Sequence, residues 1–206
     1  MLRDLDALTA ADVRTAYEQA VQWFVASVAA VPQDRYEERA TDAWNVRELV
    51  AHTSRSLGLV LAYLDAPAQR VTFVGRTGYT KAVFADPAPT LHRDVAERAR
   101  DTARQLGPDL VAGVWRLGDD VLNRLARTPD DAPCTTPLGA ARLIDYLPSR
   151  VGELVVHTLD LHKAVGLEPS PPPLPVELTL AFVVALANPV LAILALTGRI
   201  GYDVFT

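Results

Sequence analysis

The chain has 206 residues, half of them apolar and 22% charged. That balance and length suit one folded domain that buries about 70% of its unfolded surface, and they exclude a disordered chain. A net charge of −5 with scattered arginines leaves no basic stripe, which argues against a nucleic-acid partner.

Cys134 is the single cysteine, so no intrachain disulfide can form and a reducing compartment is expected. The opening "MLRDLDALTAADVR" lacks the basic flank and apolar core of a secretory signal, and the expected location is the cytoplasm. Lys81 and Lys163 stand alone beside eighteen arginines, a composition typical of a GC-rich genome.

In chain order, Thr9 and Asp12 form a capping-box pattern. Val13, Ala16, Tyr17, Ala20, Val21, Phe24, Val25 and Val28 follow at helical spacing, and the helix should end before Pro32. Asn45 with Glu48 opens a second helix, "VRELVAHTSRSLGLVLAYL", whose apolar face is interrupted by His52 and Ser56. Trp44, just before this cap, reads better as a hydrophobic staple than as a pocket wall. Residues 65–89 read as a long connection holding one β-like run, "RVTFV". Its "GRTGYTK" lacks the spacing of a phosphate loop.

A third helix is expected over about 90–106, stopped by Gly107 and Pro108, and a fourth carries the seam Leu110, Val114, Leu117, Val121 and Leu125. "TPDDAPCTTPLG" reads as a loop, with Cys134 a passive thiol. The last bundle helix is "AARLIDYLPSRVGELVVHTLDLHKAVG", with Pro148 opening or kinking it and Gly166 closing it. After the linker "SPPPLP", residues 177–199 are apolar and nearly long enough to span a bilayer. Asn188, Pro189, many alanines and missing basic or aromatic flanks favour a buried helix broken at Pro189 over a membrane anchor. Leu180, Val184 and Leu191 should then be buried, in the bundle or at a homodimer interface. The predicted fold class is an all-α four-helix bundle over about 8–167, with an apolar helical extension over about 174–199, in one domain.

Glu153 and His157 are four residues apart, about 6 Å along one helix face, so both can reach one ion. His52 lies on the inward stripe of another helix. If the two helices are neighbours, His, Glu and His converge as the donor set of a catalytic zinc site with an open position. An ion would also partner a carboxylate that is costly to bury on a valine-rich face. Asp160 and Arg150, each three residues from a ligand candidate, are candidate catalytic residues that orient a ligand or bind substrate; exposed salt bridges are the competing reading. His162 lies about 140° around the helix from His157 and reads as solvated, as does His92.

"AWNVRELVAHTSRSL" and "YLPSRVGELVVHTLDLHKAVG" together resemble the W-T-V-R-D-L-V-A-H and R-x-x-E-L-x-x-H-x-x-D-L segments of mycothiol-dependent maleylpyruvate isomerase N-terminal domains. These belong to the DinB-like superfamily of metal-binding four-helix bundles, and "LTGR" resembles endings common among such actinobacterial proteins. The resemblance implies that His52, Glu153 and His157 bind a divalent metal, usually zinc, and that mycothiol coordinates it as thiolate. The isomerase type carries a second, α/β domain, and a chain ending at Thr206 has no room for it. A thiol transfer or thiol-assisted isomerisation of a small-molecule electrophile is therefore the expected activity. A non-catalytic metal-stabilised binding module and a zinc-water hydrolase with Asp160 or Glu48 as base are the alternatives.

Overall fold

The computed structural model describes residues 3–85 and 91–201, with backbone only over 91–96. The His92 side chain and the last residues of the "ALTGRIGYDVF" ending lie outside the described part. Helices dominate: α1 (Ala10–Ala29), α2 (Val46–Asp65), α3 (Gly78–Ala85), α4 (Leu91–Leu106), α5 (Leu110–Leu125), α6 (Leu143–Val165), α7 (Pro173–Leu186) and α8 (Pro189–Leu196). The bundle is made by α1, α2, α5 and α6, with α4 laid on α2 and α7 against α1 and α6.

Both predicted capping boxes are present. Thr9 accepts from Asp12 N–H, and Asn45 from Glu48 N–H, with the acid reaching back in each case. Gly166 ends α6 in the left-handed conformation, φ 70°. The core fills the space between the four helices with Tyr17, Phe24, Leu49, Leu57, Tyr146, Leu147 and Leu154, each fully buried.

Three expectations are corrected. The segment read as a loop after α5 contains a hairpin, β2 (Pro133–Thr136) and β3 (Gly139–Arg142), and β3 also pairs in parallel with β1 (Val71–Phe73). The fold thus adds a three-stranded sheet, order β1-β3-β2, to the helices. β1 falls within the β-like run "RVTFV", whereas the four-residue strands β2 and β3 carry too little alternation to register in the sequence. The connection after α2 also forms α3, and Arg76 within it donates to the carbonyls of Leu5 and Leu8.

The second concerns Pro148, of whose two readings, opening the helix or kinking it, the first is overturned. It lies inside α6, whose first turn begins five residues earlier at Leu143, where N–H groups of Leu143 and Ile144 donate to Ala132 and Asp130 carbonyls. The third concerns the C-terminal apolar segment. It breaks before Pro189 as expected, with Asn188 capping α8. Leu180, Val184 and Leu191 are exposed in the single chain, so the bundle does not bury them as one alternative had it; α7 buries Pro175, Leu178, Thr179, Ala181 and Phe182 instead. Among the described residues no helix is long and apolar enough to cross a membrane.

Gly139 is where the sheet is tightest. Its φ is 140°, and a Cβ there would meet Thr72 Oγ1 at 2.4 Å. Gly139→Ala should therefore cost about 2 kcal/mol or more in a denaturant titration, since strain and overlap add. Gly166→Ala, which has a positive φ but open space around it, should cost only about 1 kcal/mol.

Candidate metal centre

The packing of α2 against α6 brings His52 to the Glu153 and His157 edge. His52 Nε2 lies 3.6 Å from Glu153 Oε2, and His157 Nε2 lies 3.4 Å from the same oxygen. One donor atom from each residue falls within 4.8 Å of the others. Those separations are long for hydrogen bonds. The two distances to Glu153 match the edge of a tetrahedron around an ion, since donors about 2.0–2.1 Å from zinc sit roughly 3.4 Å apart. The donor set and its spacing therefore fit a divalent ion.

The two imidazoles are oriented by different means. Asp160 Oδ2 is 3.1 Å from His157 Nδ1, so His157 presents Nε2 to Glu153, the carboxylate–histidine arrangement common behind metal ligands. Asp160 is thus placed behind His157. His52 has no such partner among the described residues, because its Nδ1 is buried and unpaired. Its ring is instead stacked on Trp44 at 4.2 Å between centroids, with the planes 23° apart. Trp44 also meets His157 edge-on at 6.0 Å. Trp44 is thus a wall of the site.

Protonation follows from these contacts. Burial, the largest effect, holds His52 below its ordinary pKa, and the nearby Glu153 only partly restores it. Burial also disfavours charge on His157, but the Asp160 and Glu153 carboxylates outweigh it and raise the pKa to about 9. Glu153 stays well below the carboxylate range: burial opposes its charge, but contacts from His157 and His52 and the charge of Arg150 prevail. The metal-free centre at neutral pH is therefore one neutral imidazole, one imidazolium and one carboxylate.

Arg150 is the fifth residue named from the sequence. It sits one turn before Glu153, with Nε donating to Ser149 Oγ at 3.1 Å and its guanidinium over the Tyr146 ring at 5.1 Å. Two other readings change. Glu48 is engaged by its cap and by Arg100 Nε at 2.9 Å, so it offers no free carboxylate. His162 is buried, not solvated: Nε2 is 2.7 Å from Ser27 Oγ and Nδ1 is 3.3 Å from the Glu168 carbonyl, pinning the end of α6 to α1.

The model of the mycothiol maleylpyruvate isomerase N-terminal domain matches residues 19–162, a stretch that includes all three clustered donors. The chain belongs to that family. No curated protein and no solved structure matches it. As a member of the mycothiol maleylpyruvate isomerase N-terminal domain family, the chain has a helical bundle with His52, Glu153 and His157 clustered on facing helices.

The proton on His157 must leave when an ion binds. Apparent affinity for zinc should rise about tenfold per pH unit up to about 9, with release of one proton, as calorimetry in buffers of different ionisation enthalpy would record. A pH-independent affinity would contradict the assigned protonation. In the metal-free protein the sign reverses: the raised pKa stabilises the fold below pH 6.5, and that contribution fades as pH rises through about 9. Asp160→Asn should lower metal affinity roughly 10- to 100-fold by loosening His157.

Proposed function

We propose that the protein is a cytoplasmic, zinc-dependent thiol transferase or thiol-assisted isomerase that uses mycothiol against a small electrophile. The observation that carries this reading is the convergence of His52, Glu153 and His157 donor atoms within 4.8 Å, in a member of a family named for a mycothiol enzyme. Three protein donors leave one tetrahedral position open. A divalent ion there supplies the acidity that turns a coordinating thiol into a thiolate nucleophile at neutral pH.

The chain's own residues account for the rest. Asp160 acts as a positioning residue, keeping His157 Nε2 on the donor side, and Trp44 screens the His52 ring from water. Glu153 keeps 36% of its side chain exposed, so the centre has a mouth through which a second molecule can reach it. The nucleophile has to come from outside. Cys134 is fully buried on β2, and burial pushes its thiol up to about 12, so it stays protonated and out of reach.

The hydrolase reading is weaker, because it needs a free base beside the ion. Glu48 is bound to Asn45 and Arg100, and Asp160 is bound to His157.

Cobalt-substituted protein should gain a sulfur-to-metal charge-transfer band when mycothiol is added. Cys134→Ala should keep this response and His52→Ala should lose it. A metal-loaded protein whose spectrum ignores mycothiol would rule out the thiol mechanism.

A further inference from the structure

The C-terminal helices carry an apolar surface that the bundle leaves uncovered. The inner face of α7 is in use: Leu178, Ala181 and Phe182 are buried, and the Phe182 ring comes within 3.6 Å of where a Cβ on Gly152 would stand, so α7 is seated closely on α6. Its outer face carries Val176, Leu180 and Val184, one every fourth residue, all exposed and Val184 to 53%. After the break at Ala187 and Asn188, α8 buries none of its side chains. Val190, Ile193 and Leu196 stand out from it, with Leu196 85% exposed.

Such a helix does not stand alone in water. Eight residues are too few for a stable isolated helix. A sequence apolar on every side, "PVLAILAL", belongs where it is covered all round. Leu191 and Ile200 add to the exposed surface. Taken at about 150–180 Å² for a fully exposed Val, Leu or Ile, the patch amounts to roughly 700 Å² per chain, more than the about 300–600 Å² of the largest apolar patch on an ordinary monomer. It is close to the about 800 Å² that each partner gives to a standard interface.

The partner that fits is uncharged over the same area. From Leu178 to Gly198 there is no Asp, Glu, Lys, Arg or His. Glu177, at the edge, is already held by Arg3 Nε at 2.8 Å. A bilayer surface is a poor match: helices that lie in it carry Lys or Arg along their polar face, which this stretch lacks, and an anionic leaflet repels a chain of net charge −5. A second copy offers a surface of the same size and the same lack of charge, and a two-fold axis brings the patch against itself.

We propose that α7 and α8 form the interface of a homodimer, the outer stripe of α7 and the whole of α8 packing against the same elements of a second copy. Both sides together bury about 1,400 Å², within the about 1,200–2,000 Å² of specific complexes. The proposal is independent of the thiol-transfer reading, because it uses no residue of the metal centre.

Sedimentation velocity of the full chain from about 1 to 100 µM tests it. The wild-type protein should sediment with the mass of two chains in the upper part of that range. Leu180→Glu and Ile193→Glu should each weaken association at least about 100-fold, because the symmetry axis places every substitution at two points of one interface and each buries an unpaired charge. Both positions are exposed in the single chain, so helicity and melting of the separated monomers should show them folded. Val74→Glu, at an exposed apolar residue outside α7 and α8, should leave the dimer intact.

A wild-type chain that stays monomeric throughout overturns the proposal. A dimer that both α7 and α8 variants leave unchanged, or that Val74→Glu disrupts as strongly, also overturns it and moves the interface elsewhere. For a monomeric chain, flotation with vesicles of phosphatidylcholine, with and without phosphatidylglycerol, identifies the replacement: vesicle binding that Ile193→Glu abolishes gives the surface to a lipid bilayer.

Discussion

A carboxylate lying between two imidazoles governs much of this molecule. Glu153 occupies a helix whose neighbouring positions are Val151, Leu154 and Val155, all buried. Its negative charge is tolerable there because His52 arrives from α2 and His157 from the next turn of α6. This arrangement demands that α2 and α6 be direct, antiparallel neighbours in a fixed register. The capping box that starts α2 at Val46 sets how far His52 lies from the helix end. The Gly166 cap and the His162 contact to Ser27 hold the far end of α6. Small shifts along either helix would separate the donors and leave a charge in an apolar wall.

Each helix is two-sided in a specific sense. On α6, Tyr146, Arg150, Glu153, His157 and Asp160 recur at intervals of four, three, four and three, one continuous edge of polar or aromatic chemistry. The opposite face carries Leu147, Val151, Leu154, Leu161 and Val165 into the core. On α2, His52, Arg55 and Tyr63 make the matching edge. Chemistry therefore runs along the seam as zones: aromatic, then cationic, then the metal-competent cluster, with Asp160 behind it. The sheet contributes indirectly. Its β1-β3 pairing ties the connection after α2 to the chain entering α6, which keeps Tyr79 and Phe73 against the aromatic end of that seam.

Much of this was legible in the sequence because it is local. Capping boxes, 3.6-residue periodicity and the Glu153–His157 spacing all concern residues within a few turns of one another. The meeting of His52 with that pair was visible only as a condition on two helices being neighbours, and resemblance to a family supplied the missing adjacency. The parts that were not legible depend on distant packing. The sheet assembles three short segments, with β1 some seventy residues from β3, and β2 and β3, Pro-Cys-Thr-Thr and Gly-Ala-Ala-Arg, show no clear alternation. His162 looked solvated because it points away from the metal edge. It is buried only because α1 packs on that side of α6 and the chain after Gly166 turns back to offer the Glu168 carbonyl. Trp44 was ambiguous for the same reason: a residue before a cap can pack along its own helix or lean over the side chain two turns on.

The scarcity of soft and amine nucleophiles carries its own consequence. A protein that gathers alkylating or acylating agents is at hazard from its own cargo. Here the single thiol is sealed within β2 and stays protonated to about pH 12, and lysine occurs at only two positions. The cations beside the centre are guanidinium groups, which remain charged and are poor nucleophiles. On the proposed thiol-transfer reading, arginine in place of lysine beside the centre leaves no amine there for an electrophile to modify.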